Sequence, residues 1–355
     1  MKLAWQIAGG RAFARWIRRG GWGPILIGLL GLAPLLWAPL DVALISDDNA
    51  LPRVPAQLPL ALHSWNPLLN TGTHYNVAHT MLAVFVPQAF LQWLGVSAAL
   101  TQRLIAVVWF SLSGFAMYAL VRAILGRDGW TLRCQVAALV AASFYMFNLF
   151  QENVWLGFNV AVLAAQTTLP ALIALLVRTF DGRVRRRWCA LILVPLSIMA
   201  SLVGVNPPMV LVFMGTLVVF VLAYGYVCGV WHRPVLARRM GSTVGLCLGV
   251  ALPLNAFWIF PFAEQLRGVG GAEVTASAEL ASKWLTGLSS STSFTNVLRF
   301  QGDWTWHQGW QEPYRPWSET FRTNVGLVGL SWIAPVLALI GAIGPGPRLR
   351  PLFTI

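Results

Sequence analysis

Residues 22–45 read WGPILIGLLGLAPLLWAPLDVALI, and the polar stretch Ile45–Ser46–Asp47–Asp48–Asn49 continues directly from them. The apolar run is longer than the ~20 residues that an α-helix needs to cross the hydrocarbon of a bilayer. Basic residues precede it, as they precede the apolar core of a signal peptide, but no small-residue cleavage site is evident. We therefore predict a retained signal-anchor span that leads into an acidic loop.

The rest of the chain has the same apolar character. Of its 355 residues, 57% are hydrophobic and 10% are charged, whereas charged residues make up roughly a quarter of a soluble domain. This composition predicts an all-α, polytopic bundle of transmembrane helices in a lipid bilayer. The net charge of +13 does not indicate nucleic-acid binding, because the arginines stand in short clusters between apolar blocks rather than on one soluble face.

Hydropathy in windows of about 19 residues predicts about eight spans. They cover residues 22–45, 104–125, 134–150, 159–178, 188–205, 208–231, 241–263 and 325–344. Two long loops, 46–103 and 264–324, separate the spans. Within the first loop, the short apolar segment 81–94 predicts a helix at the membrane surface, with Trp93 at the depth of the headgroups. We treat residues 1–355 as a single domain, and expect it to be the N-terminal part of a longer protein.

The basic residues predict the orientation of the spans. With a cytoplasmic N-terminus, 18 of the 25 basic residues fall on the inner side, and ten of the twelve acidic residues fall on the outer side. This distribution satisfies the positive-inside rule. Both long loops are therefore predicted to be extracytoplasmic, in a multi-pass protein of a bacterial plasma membrane.

Asp47 and Asp48 are the candidate catalytic residues. Adjacent side chains point in different directions, so one carboxylate would act as a general base while the other positions a group or binds a metal ion. Together they are candidates for holding a divalent cation, Mg²⁺ or Mn²⁺, through oxygen ligands. The alternative is that the pair only ends the first span in water.

Arg103 and Arg299 are the candidate phosphate-binding residues, because each lies beside an apolar stretch on the predicted outer side. A guanidinium there can hold the phosphate of a lipid carrier through two hydrogen bonds. The alternative is an arginine that reaches ordinary lipid phosphate. The sequence has no Walker A, GxGxxG or GxSxG pattern in the required context, so use of cytosolic nucleotides is not predicted.

Two further groups of polar residues suggest ligands. In the second loop, tryptophans alternate with hydrogen-bonding side chains, a combination that suits the faces and hydroxyls of sugars; the alternative is an interfacial aromatic belt. Within the spans, polar residues either join helices or line a substrate path, and the second reading would suit a flippase or transporter. These residues are Asn148, Asn159, Gln166, Asn206 and Asn255.

The order of these features resembles the GT-C superfamily of membrane glycosyltransferases. More narrowly, the chain is similar to the N-terminal region of the actinobacterial alpha-(1→3)-arabinofuranosyltransferase family. The acidic motif Ser46–Asp47–Asp48 after the first span carries the resemblance to the superfamily. The stretches that match the narrower family are Gln102–Arg103–Leu104, the turn 155–157, Gly204–Val205–Asn206, Asn296–Val297–Leu298–Arg299 and Gly302–Asp303–Trp304. The stretches Trp65–Asn66–Pro67 and Gly72–Thr73 also resemble YfhO-type bacterial membrane proteins.

This resemblance implies transfer of a sugar from a polyprenyl-phosphate donor to a cell-envelope glycan or glycolipid. It implies a catalytic base at Asp47 or Asp48 and donor-phosphate contacts at Arg103 and Arg299. The residues it implies for acceptor or sugar binding are Trp65, Asn66, His74, Asp303, Trp304 and His307. The family pattern has a single Asp followed by Thr and Lys where this chain has Asp47–Asp48–Asn49, so the choice of aspartate and of arabinofuranose as the sugar stays open. A non-catalytic envelope scaffold is a further alternative.

Overall fold

The computed structural model describes residues 22–43, 55, 58, 65–66, 73–74, 80–126, 129–148, 150–151, 159–205, 207–268, 293–299, 320 and 323–343. This part of the chain is mostly helical. The helices are α1 Trp22–Leu30, α2 Leu82–Trp93, α3 Ala98–Leu125, α4 Leu132–Phe147, α5 Val160–Phe180, α6 Arg186–Ala200, α7 Pro207–Val227, α8 Pro234–Gly268, α9 Phe294–Leu298, α10 Val325–Ser331 and α11 Ile333–Ile343. Short 3₁₀ turns cover Ala33–Leu36, Ser201–Val205 and Val230–His232.

Among the described residues, five helical segments are long and apolar enough to cross a membrane. They are Ala98–Leu125, Ala161–Phe180, Arg186–Gly204, Met209–Val227 and Pro234–Phe260. Shorter apolar helices overlap the other three predicted spans, at Trp22–Leu36, Leu132–Phe147 and Val325–Ile340. The structure therefore has the helices of a multi-pass membrane protein.

Large apolar side chains lie exposed along these helices. Leu211 and Leu222 of α7 are 76% and 66% exposed, and Leu337 of α11 is 62% exposed. A water-soluble bundle would bury one apolar stripe of each helix, whereas a bundle in lipid exposes apolar side chains to the hydrocarbon. The exposed apolar side chains of α7 and α11 are therefore typical of helices that face lipid hydrocarbon rather than water.

Helix α3 lies at the centre of the packing, with α1, α2, α4 and α5 against it. The segment that begins with α1 runs antiparallel to α3. Cβ positions built at Gly23 and Gly31 would meet Tyr118 and Ser111 respectively, and the Trp37 ring packs edge-on against Phe110 with 5.7 Å between centroids. The end of this first segment therefore lies near the start of α3.

Helix α3 begins six residues earlier than the predicted span. The Ser97 side chain accepts a hydrogen bond from the Leu100 backbone N–H, which caps the helix at this point. A hydropathy window excludes the polar residues Thr101, Gln102 and Arg103, whereas the capping interaction keeps them helical. Arg103 thus lies within the second turn of a membrane-length helix rather than at the end of a loop.

The basic connections lie at one end of the bundle. The Arg183 Nη1 donates to the Ala123 carbonyl at 3.4 Å, and the Arg239 Nη1 donates to the Phe180 carbonyl at 3.2 Å. These contacts join the C-terminal ends of α3 and α5 to the beginning of α8. The N-terminal thirds of α3 and α5 therefore lie toward the opposite end.

Candidate functional site

Arg103 is the charged side chain that the structure buries most completely among the described residues. It is 1% exposed, and its Nη2 donates to the Val42 carbonyl at 3.2 Å. Its Nε is buried and has no hydrogen-bond acceptor in the described structure. Since a buried charge is costly unless it is paired and hydrogen-bonded, this guanidinium retains the capacity to bind an anion.

The contact with Val42 relates Arg103 to the predicted catalytic pair. Asp47 follows Val42 by five residues, which as fully extended chain span at most about 18 Å. Asp47 and Asp48 themselves lie outside the described residues. The distance along the chain nevertheless limits how far either carboxylate is from the Arg103 side chain.

Further polar side chains are buried without partners on the helices around this end. On α3, Thr101 is fully buried and its Oγ1 has no partner in the described structure. On α2, which packs against α3, Gln88 is likewise fully buried and neither amide atom is hydrogen-bonded within the described part of the chain. Because most buried polar groups in folded proteins are satisfied, both side chains are candidates for contacts with a bound molecule.

Helix α5 adds Gln166 to this set. Its side chain is buried, and neither its Oε1 nor its Nε2 has a partner among the described residues. The Tyr145 hydroxyl donates to the Gln166 backbone carbonyl at 2.8 Å, so it satisfies the main chain and leaves the side-chain amide free. Gln166 lies in the N-terminal third of α5, at the same end of the bundle as Arg103.

The asparagines that suggested a transport path have structural partners. The Asn255 Nδ2 donates to the Ser197 Oγ at 2.7 Å, and its Oδ1 accepts from the Trp258 Nε1 at 2.7 Å. The Asn148 Oδ1 accepts from the Gln151 backbone N–H, and the Asn159 side chain caps α5. Asn206 lies outside the described residues.

Arg299 is also buried, at 8% exposed, but in a different place. Its Nε donates to the Ser331 Oγ at 2.7 Å, which joins the residue after α9 to the end of α10. Its Nη2 is buried and has no acceptor among the described residues. Each of the two predicted phosphate ligands thus has one buried nitrogen without an acceptor in the described structure. Their described hydrogen bonds join them to different segments rather than to each other.

The structure brings three of the residues predicted to bind the acceptor, Trp65, Asn66 and His74, into one pair of strands. Strand β1, Trp65–Asn66, pairs antiparallel with β2, Thr73–His74, with Trp65 opposite His74 and Asn66 opposite Thr73. The positions of Trp65 and His74 are nine apart in sequence but adjacent across the hairpin. Asp303, Trp304 and His307 lie outside the described residues.

None of the sequence motifs identified Gln88 or Thr101 as a candidate site residue. The available signal was one of the two glutamines in the apolar segment 81–94 and a threonine beside the Gln102–Arg103 pair. Comparison of the chain with models of protein families, with curated proteins and with solved structures finds no match. The evidence on function therefore comes from the residues and their geometry.

Proposed function

We propose that the protein is a membrane glycosyltransferase of the GT-C type that transfers a sugar from a polyprenyl-phosphate donor to a cell-envelope glycan or glycolipid. The observation that carries this proposal is the burial of Arg103, with its Nε free and its Nη2 bound to Val42, five residues before Asp47. A buried guanidinium bound to the segment that leads into a pair of carboxylates is suited to hold a phosphate leaving group for a reaction in which one carboxylate is the general base.

In the proposed reaction, Asp47 or Asp48 takes the proton from an acceptor hydroxyl. The hydroxyl oxygen forms a bond to the anomeric carbon of the sugar, and the bond between that carbon and the donor phosphate oxygen breaks. Polyprenyl phosphate leaves with the electron pair. Arg103 stabilises the negative charge that develops on the departing phosphate, since a fixed donor in a desolvated site favours that charge strongly. Arg299 is a second proposed phosphate ligand.

The buried polar side chains extend this proposed site. Thr101 lies on α3 with Arg103, Gln88 and Gln166 lie on α2 and α5, which pack against α3, and each offers hydrogen-bonding atoms without partners in the described structure. Hydroxyl-rich sugars need such donors and acceptors once they leave water. The hairpin with Trp65 opposite His74 is the proposed acceptor contact, together with Asn66, Asp303, Trp304 and His307.

The topology belongs to the same proposal. Eight spans with a cytoplasmic N-terminus would place Asp47 and Asp48 on the extracytoplasmic side of a bacterial plasma membrane, where lipid-linked sugars rather than nucleotide sugars are the donors. A transporter is supported less well, because Asn148, Asn159 and Asn255 make caps and helix contacts.

The test is a transfer assay on the reconstituted protein with a radiolabelled polyprenyl-phosphate arabinofuranose as donor. We expect Asp47→Asn or Asp48→Asn to lower the rate by ~100-fold or more, as loss of a general base does. Asp41→Asn is the matched control, because Asp41 is an exposed aspartate of the same segment. Wild-type rates in both Asp47→Asn and Asp48→Asn would overturn the proposal.

A further inference from the structure

A cavity of about 220 Å³ lies at the basic end of the bundle. Three arginines from different segments line it: Arg122 at the end of α3, Arg178 at the end of α5, and Arg183 in the connection between α5 and α6. Gly126, Trp130 and Val184 complete the lining. Three arginines from different segments of the chain therefore line one small cavity, which lies at the end of the bundle opposite to Arg103.

The described carboxylate nearest to this cluster neutralises one of the three charges. The Asp181 Oδ2 lies 3.3 Å from the Arg183 Nη2, and its Oδ1 accepts a hydrogen bond from the Tyr224 hydroxyl at 2.6 Å. Within the described structure, Arg122 and Arg178 face the same cavity without a carboxylate of their own. Since like charges at short range repel, a bound anion would relieve this excess of positive charge.

The surrounding contacts hold the arginines in place. The Arg122 guanidinium lies over the Trp130 ring, 5.3 Å from its centroid, and Tyr118 packs edge-on against the same ring at 5.9 Å. The Arg183 Nη1 is fixed by the Ala123 carbonyl. The Trp130 Nε1 is buried and has no acceptor among the described residues, so it is a further donor in this wall.

The size and chemistry of the cavity indicate its ligand. It is smaller than the ~300–1,000 Å³ that hold drug-sized molecules, so it suits one small group. Guanidinium groups match the oxygens of phosphate, which they bind through paired hydrogen bonds. We propose that Arg122, Arg178 and Arg183 bind a single phosphate group, carried either by an anionic lipid headgroup or by a soluble phosphate compound. This binding would tie α3, α5 and the following connection together.

The experiment measures thermal unfolding of the full chain in detergent. One arm titrates phosphatidylglycerol into phosphatidylcholine mixed micelles, and the other titrates inorganic phosphate at constant ionic strength. We expect the unfolding midpoint of the wild type to rise in at least one arm, and the arm that responds identifies the source of the phosphate. Arg122→Gln/Arg178→Gln is expected to weaken the apparent affinity about tenfold or more, since charged hydrogen bonds are lost.

Arg186→Gln is the matched control, because Arg186 is an exposed arginine near the same end that does not line the cavity. It should retain the wild-type response. Arg178→Lys keeps the charge but lacks the planar guanidinium that donates paired hydrogen bonds. It tests the site if the double variant does not fold, and we expect it to bind with intermediate affinity. The proposal is overturned if the wild type responds in neither arm, or if Arg186→Gln weakens binding as much as the cavity variants.

Discussion

The Nη2 of Arg103 donates a hydrogen bond to the backbone carbonyl of Val42 over 3.2 Å. This bond joins the second turn of α3 to the segment that leads into Asp47 and Asp48. It uses one nitrogen of the guanidinium and leaves the buried Nε without an acceptor in the described structure. The arginine therefore both fixes the chain before the acidic pair and offers hydrogen bonds to a ligand.

Replacement of Arg103 tests its proposed role in binding the donor phosphate. We expect Arg103→Met to reduce sugar transfer by ~100-fold or more, because it removes a charged donor that stabilises the leaving phosphate. Arg103→Lys retains the charge but lacks the planar guanidinium that donates paired hydrogen bonds. We expect this variant to transfer sugar about tenfold more slowly than the wild type, with a raised KM for the donor. The measurement is steady-state transfer kinetics, with Arg238→Met, an exposed arginine toward the basic end, as control. Wild-type kinetics in Arg103→Met would contradict the assignment.

Gln88 provides a test in which stability and activity should diverge. Its amide atoms are buried without described partners, so an apolar side chain of similar size removes an unfavourable burial. Gln88→Met should leave the unfolding temperature unchanged or higher, because an unsatisfied buried amide costs about 1–3 kcal/mol. If the amide contacts the substrate, the same variant should raise the KM. Unfolding in detergent and transfer kinetics on one preparation measure both, and a lowered unfolding temperature would show that the amide has a partner.

Asn255 should behave in the opposite way. Its side chain satisfies both the Ser197 Oγ and the Trp258 Nε1, so Asn255→Leu leaves two buried polar atoms without their partner. We expect a loss of about 1–3 kcal/mol in the free energy of unfolding, with transfer per folded molecule unchanged. Adding Ser197→Ala and Trp258→Phe removes the stranded groups and should recover part of that loss. A large loss of activity in folded Asn255→Leu would assign the residue to the substrate path instead.

Gly114 marks a close approach of three helices. A Cβ built at this position would collide with the Met146 Sδ and lie 2.9 Å from the Ile27 Cγ2, so small size is required there, as in many membrane helix contacts. Gly114→Ala should cost about 1–3 kcal/mol through overpacking, and Met146→Ala should relieve much of it. Gly245→Ala is the control, because nothing lies within 4 Å of its added Cβ; it should gain about 0.5–1 kcal/mol. Equal effects at both glycines would refute the packing argument.

The helical character of the chain followed from hydropathy because each apolar block is long enough to be detected on its own. Every predicted span overlaps a described helix, and the predicted joint at 204–207 coincides with the end of the 3₁₀ turn and with Pro207, the first residue of α7. Proline at a first helical position is well placed because its missing N–H has no intrahelical partner there.

The details of the candidate site were not predictable in the same way. The burial of Arg103 depends on Ser97, which starts α3 early, and on Val42, which is 61 residues distant. The register that sets Trp65 opposite His74 is a pairing of two positions nine residues apart, which neither residue specifies alone. Gln88 resembles Gln92 of the same apolar helix until the neighbours of each are known. Pairwise contacts of this kind leave no periodic signal in a single sequence.

Arg103 and Arg122 occupy opposite ends of α3 and are 19 positions apart. At 1.5 Å per residue, their backbones are separated by about 28 Å, which is close to the ~30 Å thickness of the hydrocarbon layer. The Arg103 Nη2 donates to the Val42 carbonyl, and the Arg122 guanidinium lies over the Trp130 ring. The central helix of the bundle therefore carries two arginines, each in contact with another segment of the chain, about one hydrocarbon thickness apart.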